Sequence, residues 1–224
     1  MIKAVLFELC GTLVKAPRDI KGLKEEIVSI LARLGVPPSF FSREEEVPYM
    51  LEKLETYIRA SGMGEGDEER IWNEVQKGIE EFGDSLVKDA SLAPGALEVL
   101  ALLKEKGFKI GVISMVNSAT TVNLLARLGL DRFLDTVVAR DFIRDPRPNS
   151  AHLSKALEDL GVEPEEAVLV SSSASMIRYA KEINMKAVGI SPGCGDVLKK
   201  AGADEVVRSL AELADAISGL EGRA

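Results

Sequence analysis

The chain has 224 residues, 46% of them hydrophobic and 29% charged, with a formal net charge of −8; this suits one α/β domain, alone or with a small insertion. The acidic balance argues against nucleic acid or an anionic membrane as partner, and no apolar run approaches the ~18 residues of a membrane span. Two cysteines make no disulfide framework, and Met1-Ile2-Lys3 leads straight into an apolar run without room for a signal peptide, so the expected location is cytoplasmic.

The run Ala4-Val5-Leu6-Phe7 ends in Glu8, and Leu9-Cys10-Gly11-Thr12-Leu13 follows at once. This predicts a buried parallel strand delivering a carboxylate to its C-terminal end, where open α/β sheets hold ligands. Residues 21–34 place Leu23, Ile27, Ile30, Leu31 and Leu34 at helical spacing, closed by Gly35 and Pro37-Pro38. Residues 47–58 and 70–86 read as two further helices separated by a flexible, glycine-rich segment at 61–66. Residues 18–88 contain no strand-like run. Residues 15–90 are therefore expected to form an all-helical insertion in a core made of 1–14 and 91–224. From residue 96 onward, helices at 96–106, 119–128, 150–160, 174–183 and 210–220 alternate with strands at 108–114, 136–139, 167–170, 186–190 and 205–207. Such alternation implies right-handed crossovers and a parallel sheet with helices on both faces and the first strand central.

Four stretches carry a further signal. They are Glu8-Leu9-Cys10-Gly11-Thr12-Leu13; Val112-Ile113-Ser114; Asp145-Pro146-Arg147-Pro148-Asn149; and Val170-Ser171-Ser172-Ser173-Ala174-Ser175-Met176. In this order they resemble the four motifs of the haloacid dehalogenase (HAD) superfamily, and the resemblance covers nearly the whole chain. It implies a HAD-like, Rossmann-like α/β core with a helical cap. In the superfamily's phosphatases, acids at the positions of Glu8 and Cys10 act as nucleophile and as acid/base, and further acids near Ser172 and Met176 complete a magnesium site. The beginning of the fourth motif, Val170-Ser171-Ser172, is closest to the metal-independent 2-haloacid dehalogenase branch, but the match fails at Ser173, Ser175 and Met176.

The candidate catalytic residues are Glu8, Cys10, Arg147 and Ser172, with Thr12 and Ser114 as candidate substrate-binding hydroxyls. Glu8 keeps a carboxylate one methylene further from the backbone, and reads either as a nucleophile or as an ion-paired strand-end residue. A thiol at Cys10 is a poor acid toward a leaving alkoxide and reads first as a small apolar filler. Arg147 suits an anion, Glu8 itself or a loop salt bridge, because its planar fork grips oxyanions with two hydrogen bonds. Magnesium is not expected, because it is anchored by carboxylates and this chain offers Glu8, Ser172 and Met176. His152 reads as a surface or packing residue, and Phe40, Phe41, Tyr49, Tyr57 and Trp72 either close over a substrate or build the insertion's own core.

Loss of acids at three positions favours a binding or regulatory protein without ordinary catalysis. The alternative is a metal-independent hydrolase acting through Glu8. The expected ligand is a small anion held weakly near Arg147, with no nucleic-acid or membrane partner.

Overall fold

The computed structural model describes residues 1–15, 20–42, 45, 47–86, 89–142 and 150–222. In chain order these form β1 (Ala4–Glu8), β2 (Val14–Lys15), α1 (Ile20–Arg33), α2 (Val47–Ser61), α3 (Glu65–Leu86), β3 (Ser91–Leu92), α4 (Ala96–Glu105), β4 (Lys109–Ile113), α5 (Ser118–Leu128), β5 (Thr136–Val138), α6 (Ala151–Leu160), β6 (Ala167–Ser171), α7 (Ala174–Glu182), β7 (Lys186–Ile190), α8 (Asp196–Lys200), β8 (Glu205–Val207) and α9 (Leu213–Glu221). Two compact units result: one from residues 1–15, 90–142 and 150–222, the other from the described residues between 20 and 89.

The first unit is a six-stranded parallel sheet in the order β5-β4-β1-β6-β7-β8. β1 therefore lies inside the sheet, as its unbroken apolar run predicts, and Ala4, Val5, Leu6 and Phe7 expose no surface. Pairing sets Ala4 opposite Lys109 and Ala167, and Glu8 opposite Ile113. Alternation then sorts the side chains. Ala4, Leu6, Ile113, Val138, Ala167, Leu169 and Ala187 pack in one cluster with Leu153, Leu157 and Leu160 of α6 and Ile177 of α7. Val5, Phe7, Val112, Val168 and Val170 alternate to the opposite face and are equally buried, where α4 packs on β4 and α9 on β7 and β8. A sheet apolar on both faces is stable only when helices cover both, and this explains the absence of hydrophobic/polar alternation in its strands.

α6 can approach the sheet closely because position 111 is glycine. A Cβ there would lie 2.5 Å from Leu6 Cδ2 and 2.9 Å from Thr136 Cγ2. At its other end the helix is tied down by Lys109 Nζ, which donates to the Leu160 carbonyl. The start of α6 is thereby placed at the C-terminal ends of the strands.

Two features escape sequence periodicity. Val14–Lys15 and Ser91–Leu92 pair as an antiparallel ribbon, and Ala93 N–H donates to Leu13 O at 2.9 Å. Two-residue strands are too short to show alternation. The second is a correction. The segment at 61–66 was expected to be a flexible separator, yet α3 begins at Glu65, with Asp67 and Glu68 N–H groups donating to Gly64 O at 3.0 and 3.1 Å. Acidic residues in that first turn favour helix initiation by complementing its dipole.

The second unit holds α1, α2 and α3 around Ile27, Leu31, Met50, Leu54, Ile71 and Val75, with no strand among its described residues. Trp72 is buried in that core. Phe40 packs edge-on against Phe41 at 5.5 Å and tilted against Tyr57 at 5.5 Å, with Lys53 Nζ 5.0 Å from the Phe40 ring. Tyr49 is exposed. No helix among the described residues is long and apolar enough to cross a membrane.

Gly111→Val should therefore destabilise the protein by about 1–3 kcal/mol through overpacking between β4 and α6. Gly193→Ala, where an added Cβ meets nothing within 4 Å, should stay within about 0.5 kcal/mol. Urea titration of both variants checks the contrast; equal effects would contradict the packing account.

Candidate active site

At the C-terminal end of β1 the ladder runs one bond past Glu8, with Leu9 N–H donating to Ile113 O at 2.9 Å. The chain then turns back on itself. Leu13 and Val14 N–H groups donate to Leu9 O at 3.1 and 2.9 Å, and Gly11 N–H donates to Val14 O at 2.8 Å. The turn thus spends the N–H groups of Gly11, Leu13 and Val14 internally, so these three are not offered to an oxyanion. Gly11 has φ of 87°, and a Cβ there would sit 2.6 Å from Ser172 Oγ. Backbone conformation and close approach both require glycine at this point.

That approach joins the first and fourth motifs. Ser172 N–H donates to Thr12 Oγ1 at 3.2 Å, and Thr12 is almost fully buried. Ser171 Oγ donates to Glu8 Oε2 at 2.6 Å and accepts from Ser173 N–H at 2.9 Å. The relay orients the Glu8 carboxylate with a buried hydroxyl that is itself held by the backbone. Ser173 caps α7, its Oγ accepting from Met176 N–H at 3.4 Å.

Cys10 lies in the same turn. Burial, followed by the charge of Glu8, pushes its thiol up to about 12. It is therefore protonated at neutral pH, and neither a thiolate nucleophile nor a proton acceptor.

Ser114, at the end of β4, is buried with its Oγ 2.8 Å from Thr121 Oγ1 and accepting from Val116 N–H at 3.2 Å. Its hydroxyl thus shapes its own loop. Past β5, Arg140 N–H donates to Val116 O at 3.2 Å, and Asp141 accepts from Ser118 N–H at 2.8 Å and Ser118 Oγ at 2.6 Å. The Arg140 side chain is 5% exposed. His152, at the start of α6, is a buried packing residue whose Nε2 lies 3.3 Å from the Arg140 carbonyl. Burial lowers its pKa; the bond to that carbonyl opposes the shift, and the charge of Arg140 adds to it. Arg147 lies outside the described residues.

The structure therefore brings Glu8, Cys10, Thr12 and Ser172 together and places Ser114 on the adjoining strand. Sequence reasoning missed one contributor, Ser171, which donates to Glu8. A strand periodicity of two puts residue 171 on the face of 167 and 169, but only the β1–β6 register turns that face toward Glu8.

Magnesium finds a poor fit here. Glu8 supplies a carboxylate, but Ser172 supplies a hydroxyl and Met176 is buried in the apolar cluster beneath α7. No group of three His, Cys, Asp or Glu side chains among the described residues is arranged to hold a metal ion. A hard divalent cation prefers oxygen ligands with carboxylate charge, and this set falls short.

The haloacid dehalogenase-like hydrolase family matches residues 5–190. The chain belongs to that family. A phosphoglycolate phosphatase of Nitrosococcus oceani is 26% identical over 218 residues, covering 96% of each chain. A glyceraldehyde 3-phosphate phosphatase of Pyrococcus furiosus is 27% identical over 223 residues, covering 96% of this chain and 93% of its own. Among solved structures, a hydrolase from Pseudomonas syringae shares the fold with a TM-score of 0.65 at 18% identity, covering 97% of this chain and 98% of its own.

These relatives correct the functional expectation. The reading as a binding or regulatory protein without ordinary catalysis, with a metal-independent hydrolase as its alternative, is overturned by curated phosphatases that match end to end. That reading weighed a few replaced acids alone, whereas the similarity spans both units.

Two outcomes are expected of the site. Ser171→Ala should cost about 1.5–3 kcal/mol in urea unfolding, the range for a hydrogen bond to a charged group. Iodoacetamide at mildly alkaline pH should alkylate the exposed Cys194 and leave Cys10 unmodified until the protein unfolds, as peptide mass spectrometry would show.

Proposed function

We propose that this chain is a phosphohydrolase of short-chain phosphomonoesters, working at the C-terminal ends of β1, β4 and β6. The observation that carries the reading is the pairing of an end-to-end match to phosphatases with a carboxylate at the end of the central strand, held by a buried hydroxyl at 2.6 Å. Phosphoglycolate and glyceraldehyde 3-phosphate, the substrates named for those relatives, are both small phosphate esters, and this supports the substrate class.

In this reading Glu8 is the group that meets the phosphoryl centre. Ser171 orients the carboxylate, so no rotamer search precedes reaction; preorganisation of this kind is worth most at the reacting atoms. The Thr12–Ser172 bond holds the two loops at a fixed separation around it. Cys10 keeps its proton and contributes packing beside the carboxylate. The described residues do not fit magnesium, and no step is assigned to it.

The test is release of inorganic phosphate from phosphoglycolate and glyceraldehyde 3-phosphate, in buffer containing magnesium so that want of a metal cannot explain failure. The native protein should turn over at least one of them. Glu8→Gln should fall to the blank, and Glu8→Asp, which withdraws the carboxylate by about 1 Å, should lose roughly 100-fold. A native rate no greater than that of Glu8→Gln would refute the proposal.

A further inference from the structure

We propose that this site selects phosphoryl donors whose leaving oxygen departs without a proton, acyl phosphates ahead of alkyl phosphates, an inference that rests on the phosphohydrolase reading and narrows its substrate class. Two bonds change when Glu8 takes the phosphoryl group. A carboxylate oxygen of Glu8 bonds to phosphorus, and the bond from phosphorus to the leaving oxygen breaks, its electron pair going with that oxygen. An alkoxide is nearly as basic as hydroxide, whose conjugate acid has a pKa of about 15.7, and it needs a proton as it leaves. A carboxylate, the base of an acid near pKa 4, departs as a stable anion. In the second step water bonds to phosphorus and the bond from phosphorus to Glu8 breaks. The carboxylate is restored, and both protons of the water leave on the phosphate.

The described side chains around Glu8 hold no ready proton for an alkoxide. Cys10 stands two residues on, fixed by the turn, in which it bridges to Val14 and Gly11 N–H donates to Val14 O. A thiol is a weak hydrogen-bond donor, and burial followed by the charge of Glu8 holds its proton in place. The Ser171 hydroxyl points its proton at the attacking carboxylate, at 2.6 Å, and so away from the leaving group. Thr12 and Ser172 carry alcohol hydroxyls, no more acidic than the alcohol that would have to leave. The chain's one histidine, His152, is buried against the Arg140 carbonyl.

Magnitude makes the consequence large. A positioned general acid contributes roughly 10²–10⁴-fold. A site that withholds one forfeits that factor on alkyl esters and loses nothing on acyl phosphates, whose leaving group has no use for it.

The test compares acetyl phosphate, phenyl phosphate and phosphoglycolate as substrates of the native protein, in the same magnesium-containing buffer and with the Glu8→Gln rate subtracted. Their leaving groups rise in basicity in that order, from about 4 through about 10 to an alkoxide. kcat/KM should fall in the same order, with acetyl phosphate at least about 100-fold above phosphoglycolate. Because acetyl phosphate is also the more reactive compound in water, Cys10→Asp supplies the sharper comparison. An acid placed at that position should raise phosphoglycolate turnover more than acetyl phosphate turnover and narrow the ratio by at least about tenfold. Cys10→Asn, of the same shape without the acid, should not narrow it. Circular dichroism shows whether each variant is folded, and if neither is, the native ranking decides. A native ratio below about tenfold, a folded Cys10→Asp that leaves the ratio as it was, or an equal narrowing by Cys10→Asn would overturn the selectivity alone. No phosphate released from any of the three compounds would overturn the phosphohydrolase reading together with it, so the two failures are distinct.

Discussion

The molecule's chemistry depends on one constraint: β1 is paired on both edges and buried on both faces, yet it ends in a carboxylate. Its apolar residues have no water-facing side, so the strand cannot slip in register without burying Glu8 among them. Ladders to β4 and β6 set the neighbours of that carboxylate as firmly as the strand itself. The donor from Ser171 and the contact between Gly11 and Ser172 follow from the β1–β6 register, and the approach of Ser114 follows from β1–β4.

Electrostatics at the strand ends are then a matter of what faces Glu8. A buried hydroxyl stabilises the ionised carboxylate, and the same charge, after burial, keeps the Cys10 thiol protonated. In the family's phosphatases that the resemblance describes, acids and magnesium share this task. Here a thiol at Cys10, a hydroxyl at Ser172 and a methionine at Met176 stand at those positions, and Met176 packs in the apolar core under α7.

Much of this was legible in the chain. Alternating apolar runs and amphipathic helices identified the parallel sheet and the interior first strand, since each follows from local burial patterns. The four motif neighbourhoods named Glu8, Cys10, Thr12, Ser114 and Ser172 as candidates. The start of α3 was misjudged because Gly62, Gly64 and Gly66 suggest a linker, whereas an acidic first turn begins a helix at Glu65.

By itself the sequence determined the fold class and the carboxylate at the end of β1, because hydrophobic periodicity is a one-dimensional property. Only the tertiary structure decided the partners. Ser171 is 163 residues from Glu8 along the chain yet donates to it at 2.6 Å, and Gly111 is glycine because Leu6 and Thr136 occupy its Cβ space. Register and close packing bring distant residues within bonding range, and no local pattern encodes which of many hydroxyls that will be.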